Sequence, residues 1–211
     1  MSLTPEVVLH AYASGVFPMS EGRNDPEIFW VDPRERGVLP LDGFHISRSL
    51  ARQMKKGGYT PAINQDFHAV LLACADREDT WINAEIEAVF LALHALGFAH
   101  SFEIWQDGAL IGGTYGIALG RAFFGESMFS RATGGSKLAL AHLVDHLSRT
   151  GFTLFDTQFL TPHLASLGGV EISRASYRAQ LAEALHHQAD LFCIDLAQDP
   201  HCVLQRVTQT S

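Results

Sequence analysis

Three polar side chains stand out by type and spacing. Glu126 lies in the segment Gly125-Glu126-Ser127-Met128-Phe129-Ser130-Arg131. Asp156 and Gln158 lie about thirty residues further on, in Phe155-Asp156-Thr157-Gln158. A carboxylate can stabilise a developing cation and accept a proton, whereas a carboxamide can orient an N–H but is a poor base at neutral pH. The flanking pattern predicts a strand over 121–127, an apolar helix over 136–150 with Leu140, Leu143, Val144 and Leu147 inward, and a strand over 152–158. Asp156 and Gln158 are then expected on one face of their strand, because side chains alternate. Each group also has an ordinary reading, as a capping or surface Asp and a strand Glu with a partner.

The elements needed to position these groups follow from caps and periodicity. Thr4 and Pro5 open a helix that Gly15 stops. Short extended pieces are expected over 28–31 and 37–41. Ser47 caps a second helix, ending at Gly57-Gly58, and a domain boundary is expected near residue 60. Helices are expected over 64–76 and 83–96, then a strand over 101–105, a hairpin turn at Asp107-Gly108 and a strand over 110–119. A last helix is expected over 173–187, and the tail from Asp190 is ambiguous. This order of elements suggests an α+β fold, with a small domain over 1–60 and a catalytic domain over 61–211.

Composition narrows the class. A chain of 211 residues with 47% hydrophobic and 18% charged content is globular and large enough for a core without metal or disulfide. Its apolar runs are too short for a membrane span, and its start does not resemble a signal peptide. Cys74, Cys193 and Cys202 fit free thiols in a reducing cytoplasm. The net charge of −8 argues against gripping long stretches of phosphate. Yet the six cations Arg34, Arg36, Arg48, Arg52, Lys55 and Lys56 gather in one region with only Glu35 and Asp42 opposing them. That region suits either a few phosphates or a solvated face.

Eight segments in order resemble the leucyl/phenylalanyl-tRNA–protein transferase family. They are Tyr12 to Pro18, Trp30 to Arg34, Phe44 to Ser49, Thr80-Trp81-Ile82, Gly112 to Gly116, Gly125 to Arg131, Phe155 to Gln158 and His163 to Gly168. The resemblance implies transfer of Leu or Phe from the 3′ adenosine of Leu-tRNA or Phe-tRNA to the α-amine of an N-terminal Arg or Lys. The product is a protein marked for degradation. It also implies a domain like that of Gcn5-related N-acetyltransferases, and no metal or cofactor. A cytoplasmic protein is expected, and a monomer, since no exposed heptad seam is visible.

The resemblance also implies roles. Asp156 and Gln158 become the catalytic pair, Asp156 supplying negative charge for the attacking amine and Gln158 orienting its N–H. Glu126 is expected to hold the α-amino group of the esterified amino acid. Thr114, Phe123, Met128, Leu140, Leu143 and Phe155 are expected to line the side-chain pocket, although their pattern alone reads as core. Thr114, Leu143 and Phe155 differ from the Met, Phe and Ile of better-known members, so the Leu-versus-Phe preference does not follow. Trp81 and Trp30 are candidates to stack on the adenosine, or to be packing residues. An acidic exit near Asp156 would attract the basic acceptor.

Several signals carry less. His142 and His146 lack the Glu of a zinc-protease motif, Ser127 and Ser130 lack a nucleophile elbow, and Gly134-Gly135-Ser136-Lys137 is not a P-loop. His186-His187 reads as a helix end. Arg131-Ala132-Thr133-Gly134-Gly135-Ser136 partly matches the loop that reads CoA pyrophosphate, which keeps a CoA-dependent acyltransferase as a rival. A non-catalytic binder of basic N-termini is the other.

Overall fold

The computed structural model describes residues 3–209 of the chain. Capping side chains set most of its helix starts. Helix α1 (Pro5–Ala13) starts where Thr4 accepts from the Val7 N–H, and the chain leaves it at Gly15, whose φ is +83°. Strands β1 (Phe17–Met19) and β2 (Phe29–Val31) then form a small antiparallel ribbon, and β3 (Glu35–Val38) follows. Helix α2 (Arg48–Lys56) is capped by Ser47, and β4 (Thr60–Ile63) leads to α3 (Phe67–Ala75), capped by Asp66. Helix α4 (Ala84–Ala95) is capped by Asn83, whose Oδ1 accepts from the Ile86 N–H at 2.9 Å.

A meander comes next: β5 (Ala99–Gln106), β6 (Ala109–Leu119) and β7 (Ala122–Ser130). The Asp107-Gly108 turn has both φ values positive, as a tight hairpin requires. Helix α5 (Gly135–Arg149) crosses over to β8 (Leu154–Gln158), and then come α6 (Pro162–Ala165), β9 (Val170–Ser173), α7 (Arg174–Leu185) and α8 (Pro200–Gln209). One sheet of seven strands runs in the order β4-β5-β6-β7-β8-β3-β9. Every neighbouring pair is antiparallel except β7 and β8, which the α5 crossover makes parallel.

Alternation along the strands buries both faces. Helices α1, α3, α4 and α7 cover one face, where Tyr12, Val70, Phe90, Tyr177 and Leu181 pack on Ile117 and Phe124. Helices α2, α5 and α8 cover the other, where Met54, Leu140, Leu143 and Val203 pack on Phe102, Phe123 and Phe155. The α5 layer lies very close to the sheet. A Cβ on Gly112 of β6 would come within 2.4 Å of the Gly135 backbone, so only glycine fits there.

The expected division into 1–60 and 61–211 does not correspond to separate cores. Val8, Tyr12 and Phe17 belong to the first core and Leu50 and Met54 to the second, each with partners from the later chain. The helix expected over 64–76 starts later, because Asn64 at φ +56° and the Asp66 cap turn the chain first. Strands β1, β4 and β9 and helices α6 and α8 are additions, and the ambiguous tail contains α8. Among the described residues no helix is long and apolar enough to cross a membrane.

Candidate active site

The site lies where two parallel strands part. Strand β7 pairs with β8 over three positions only, ending at Phe124 opposite Asp156. Beyond that the strands diverge, and Glu126 on one side meets Gln158 on the other. Each of these residues occupies an irregular backbone position. The β6–β7 register steps from Tyr115–Ser127 to Gly116–Gly125, which leaves Glu126 as the extra residue of a bulge. Such a bulge re-aims a side chain. Gln158 ends β8 at φ +64°, a left-handed conformation that costs a non-glycine residue about 1–3 kcal/mol. The expectation that Gln158 simply continues the face of Asp156 is thus corrected: the strand turns at Gln158, and its Nε2 donates to Glu126 Oε1 at 2.9 Å.

Glu126 is 9% exposed. Its Oε1 accepts from Gln158 and from the Tyr12 hydroxyl at 2.8 Å, while its buried Oε2 has no partner. Burial pushes its pKa up from 4.5 to about 8, although the bonds from Tyr12 and Gln158 pull the other way. Its surroundings therefore favour a neutral carboxyl near pH 7, and a cationic ligand would turn it into a carboxylate.

Asp156 is fully buried and fully engaged. Arg36 Nε and Nη2 donate to its two oxygens at 2.9 and 2.7 Å, the Tyr177 hydroxyl donates at 2.7 Å, and the Gln158 backbone N–H donates at 2.8 Å. The Arg36 guanidinium is held between the rings of Phe17, at 4.7 Å, and Tyr177, at 4.5 Å. Burial works against the Arg36 charge, but the bonds and charge of Asp156 outweigh it and keep the pKa above its usual value. Two expectations are corrected here. Arg36 is 1% exposed and does not belong to a phosphate-binding face. Asp156 does not line the cavity beside Glu126, and Arg36 neutralises it, so it does not create an acidic exit. It fixes the bend that aims Gln158.

The gap opens into a cavity of about 480 Å³, lined in part by Met19, Trp81, Glu126, Gln158, Phe159 and His163. A narrow recess of about 50 Å³ continues from it between Thr114, Met128, Leu140, Phe155 and Leu164. Four of the expected pocket residues (Thr114, Met128, Leu140 and Phe155) therefore come together. Phe123 and Leu143 do not reach it. They are fully buried in the second core, Phe123 stacking edge-on to Phe155 at 5.6 Å. Trp81 lines the cavity. Trp30 does not: it is 42% exposed on the β1–β2 ribbon. Arg34, Arg48, Arg52, Lys55 and Lys56 are exposed, the last four on one helix.

Three buried polar atoms without partners, Glu126 Oε2, Thr157 Oγ1 and His163 Nε2, belong to residues lining this one cavity. Further such atoms, including the Tyr115 hydroxyl and Arg121 Nε, lie elsewhere, but these three converge on one cavity, which suits a ligand site. Burial, and then Lys137, lower the His163 pKa, which keeps its ring neutral at pH 7. Sequence reasoning did not single out Tyr12, Arg77, Thr157, His163 or Tyr177. Tyr12 and His163 lie inside segments that carried the resemblance, but nothing in the local pattern showed that they point to one place.

The loop 131–136 is closed. The Arg131 and Ala132 N–H groups donate to the Ile111 carbonyl, the Ser136 N–H donates to Ser130 Oγ, and Gln53 packs so close that a Cβ on Gly134 would meet its Oε1 at 2.2 Å. His142 and His146 are packing residues, bonded to the Tyr59 hydroxyl and the Leu191 carbonyl. Among the described residues no group of three or more His, Cys, Asp or Glu could hold a metal ion.

Comparison with known proteins gives one answer along the whole chain. The model of the leucyl/phenylalanyl-tRNA protein transferase family matches residues 38–182, and the model of that family's N-terminal domain matches residues 1–34. A leucyl/phenylalanyl-tRNA–protein transferase of Ruegeria pomeroyi is 65% identical over 211 residues, all of both chains. One of Cereibacter sphaeroides is 60% identical over 210 residues, covering 100% of this chain and 98% of the relative. Among solved structures, FemX aligns at 13% identity over 74% of this chain and 60% of its own, with a TM-score of 0.47, too low to carry weight.

Proposed function

The chain belongs to the leucyl/phenylalanyl-tRNA–protein transferase family, an enzyme family, and from that premise we propose how its cleft does the work. The donor is Leu-tRNA or Phe-tRNA, and the acceptor is the α-amine of an N-terminal Arg or Lys, which the added residue marks for degradation. The observation that carries this reading is the unpartnered Oε2 of Glu126, buried at the mouth of an apolar recess. An aminoacyl ester has the matching pair of features: a cationic α-amine and, on the same carbon, an apolar side chain.

In this reading the α-ammonium sits on Glu126 and the side chain enters between Met128, Leu140 and Phe155. The recess is narrow, and Met128, an adaptable side chain, gives way to the entering group. The terminal adenosine stacks on Trp81. The acceptor amine attacks the ester carbonyl, the new C–N bond forms, the C–O bond to the ribose breaks, and the nitrogen loses a proton while the ribose oxygen gains one. Gln158 orients the amine through its side-chain oxygen, because its nitrogen is committed to Glu126. Asp156 acts through Gln158 as a positioning residue. The ester is already activated, so the reaction needs no metal or cofactor. We also assign the sheet to the architecture of Gcn5-related N-acetyltransferases, on the strength of the splayed β7–β8 pair and its α5 crossover. The protein is expected to work as a cytoplasmic monomer, with Arg34, Arg48, Arg52, Lys55 and Lys56 facing the tRNA. The closed loop 131–136 disfavours CoA as the acyl carrier.

The test is transfer of radiolabelled Leu or Phe from purified charged tRNA to a peptide beginning with Arg, beside Glu126→Gln. Transfer by the wild type, strongly reduced in the variant, supports the reading. A folded wild type that transfers neither amino acid refutes it.

A further inference from the structure

A second cleft, of about 250 Å³, adjoins the catalytic cavity and shares Arg77 and Met128 with it. Its remaining polar wall is Asp76, Ser130 and Arg131. Two arginines and one aspartate leave a net positive site on a protein whose overall charge is −8. Neither arginine makes an ion pair among the described residues. Arg77 is instead braced by the Cys74 carbonyl and Ser127 Oγ, and Arg131 lies over the Phe129 ring at 5.4 Å. A guanidinium held in place but left without an anion is suited to receive one.

In the loop that carries Arg131, the Arg131, Ala132, Gly135 and Ser136 N–H groups are engaged within it and its neighbours, and of residues 131–136 Arg131 lines the cleft. Its basic side chain is therefore the group it presents to this cleft. The same loop is tied to α2 by the bond from Gln53 Nε2 to the Thr133 carbonyl at 2.8 Å. This bond sets α2, which carries Arg48, Arg52, Lys55 and Lys56, beside the loop of Arg131, whose cleft adjoins the catalytic cavity.

We infer that this cleft is the subsite for the phosphodiester joining the terminal adenosine to the preceding nucleotide, with Arg131 and Arg77 as its ligands. The inference rests on the function proposed above. Asp76 opposes the phosphate and holds its affinity down, so that a spent RNA end can leave.

The experiment compares two donors that differ in phosphate. One is phenylalanyl-adenosine, which has none, and the other is the phenylalanyl ester of the trinucleotide CCA. Steady-state transfer to an Arg-peptide is measured for the wild type, Arg131→Gln and Asp76→Asn, with thermal melts as a folding check. Arg131→Gln is expected to raise the KM for the trinucleotide, relative to that for the adenosine donor, by about tenfold, the loss of one charge-assisted contact. Asp76→Asn is expected to move the same ratio the opposite way, and Arg131→Gln to lower the salt slope of trinucleotide binding by about one. Equal losses on both donors in Arg131→Gln, or a wild type that does not distinguish them, would overturn the inference. A rise in peptide KM in Asp76→Asn, with no change in the donor ratio, would overturn it too by giving the cleft to the cationic acceptor. A wild type inert with both donors would instead sink the proposed function.

Discussion

Replacing Glu126 by Gln should make the protein, without added substrate, more stable in alkali while removing its activity. The ordinary pKa of this carboxyl is 4.5 and burial raises it to about 8 in the folded state. Below pH 4.5 the group is protonated in both folded and unfolded chains and contributes nothing that varies with pH. Between the two values the folded state keeps a proton that the unfolded chain has released, so stability falls as pH rises. Each unit costs about 1.4 kcal/mol, so the full penalty by pH 8 is on the order of 5 kcal/mol, an upper bound for a group at the edge of a cavity that water reaches. Gln keeps the shape, and its side-chain oxygen still accepts from Tyr12 and Gln158, but it carries no charge to desolvate. Thermal melts of the two proteins should therefore nearly coincide at pH 5. At pH 8.5 the variant should melt higher by about 5–10 °C, taking half of that bound and a few degrees per kcal/mol for a chain of this size. The titration of the remaining groups acts on both proteins alike and cancels in the difference. A gap between the melting curves that does not change from pH 5 to pH 8.5 would show that burial does not perturb Glu126.

Three other outcomes follow from the geometry. Arg36→Met strands a buried carboxylate and should destabilise the fold by about 3–5 kcal/mol, whereas Arg36→Met combined with Asp156→Asn should recover part of that in chemical denaturation; equal costs for the single and double variants would deny the coupling. Gln158→Ala removes a donor that holds Glu126 and the proposed orienting oxygen. It should lower kcat by about 100-fold with little change in melting temperature, and a pure KM effect would place Gln158 in substrate binding alone. Reversing Arg52 and Lys56 to Glu should weaken tRNA binding and flatten its salt dependence, while an unchanged slope would put the tRNA surface elsewhere.

Much of this site was legible because its residues sit in segments whose local pattern is strong. The meander, the α5 crossover and the caps Thr4 and Ser47 follow from turn residues, caps and periodicity, whereas the Asp66 cap does not, since the pattern starts that helix at residue 64. The acid on β7 and the acid and amide on β8 follow from the strand assignment. What periodicity does not encode is which strands are neighbours. Arg36 reads as one more cation of a basic stretch, and only the insertion of β3 beside β8 shows that it is a counter-ion. Phe123, Leu143 and Phe155 are indistinguishable as apolar residues, yet packing depth puts one of them at the recess and two behind it. Glu126 and Gln158 meet because a bulge and a left-handed turn break the alternation on which strand reading relies. Such irregularities are seen only when the paired strand is known.

The position of β3 sets the order in which the protein can be made. This strand is synthesised early, but both of its neighbours, β8 and β9, come from the last third of the chain, and the Arg36–Asp156 contact spans 120 residues of sequence. During translation, β3 emerges with two unsatisfied edges and an arginine destined for burial, and it must wait for most of the polypeptide before it can pair. Contacts of such long range form slowly, and an early strand without partners is exposed to wrong ones. The charge of Arg36 keeps the waiting segment soluble. When Asp156 arrives it pairs with Arg36 and holds the Gln158 N–H, so the contacts that set the bend at Gln158 form only after β8 has been made. A chain cut short before residue 156 would therefore lack its final strands and leave β3 without a neighbour in the sheet.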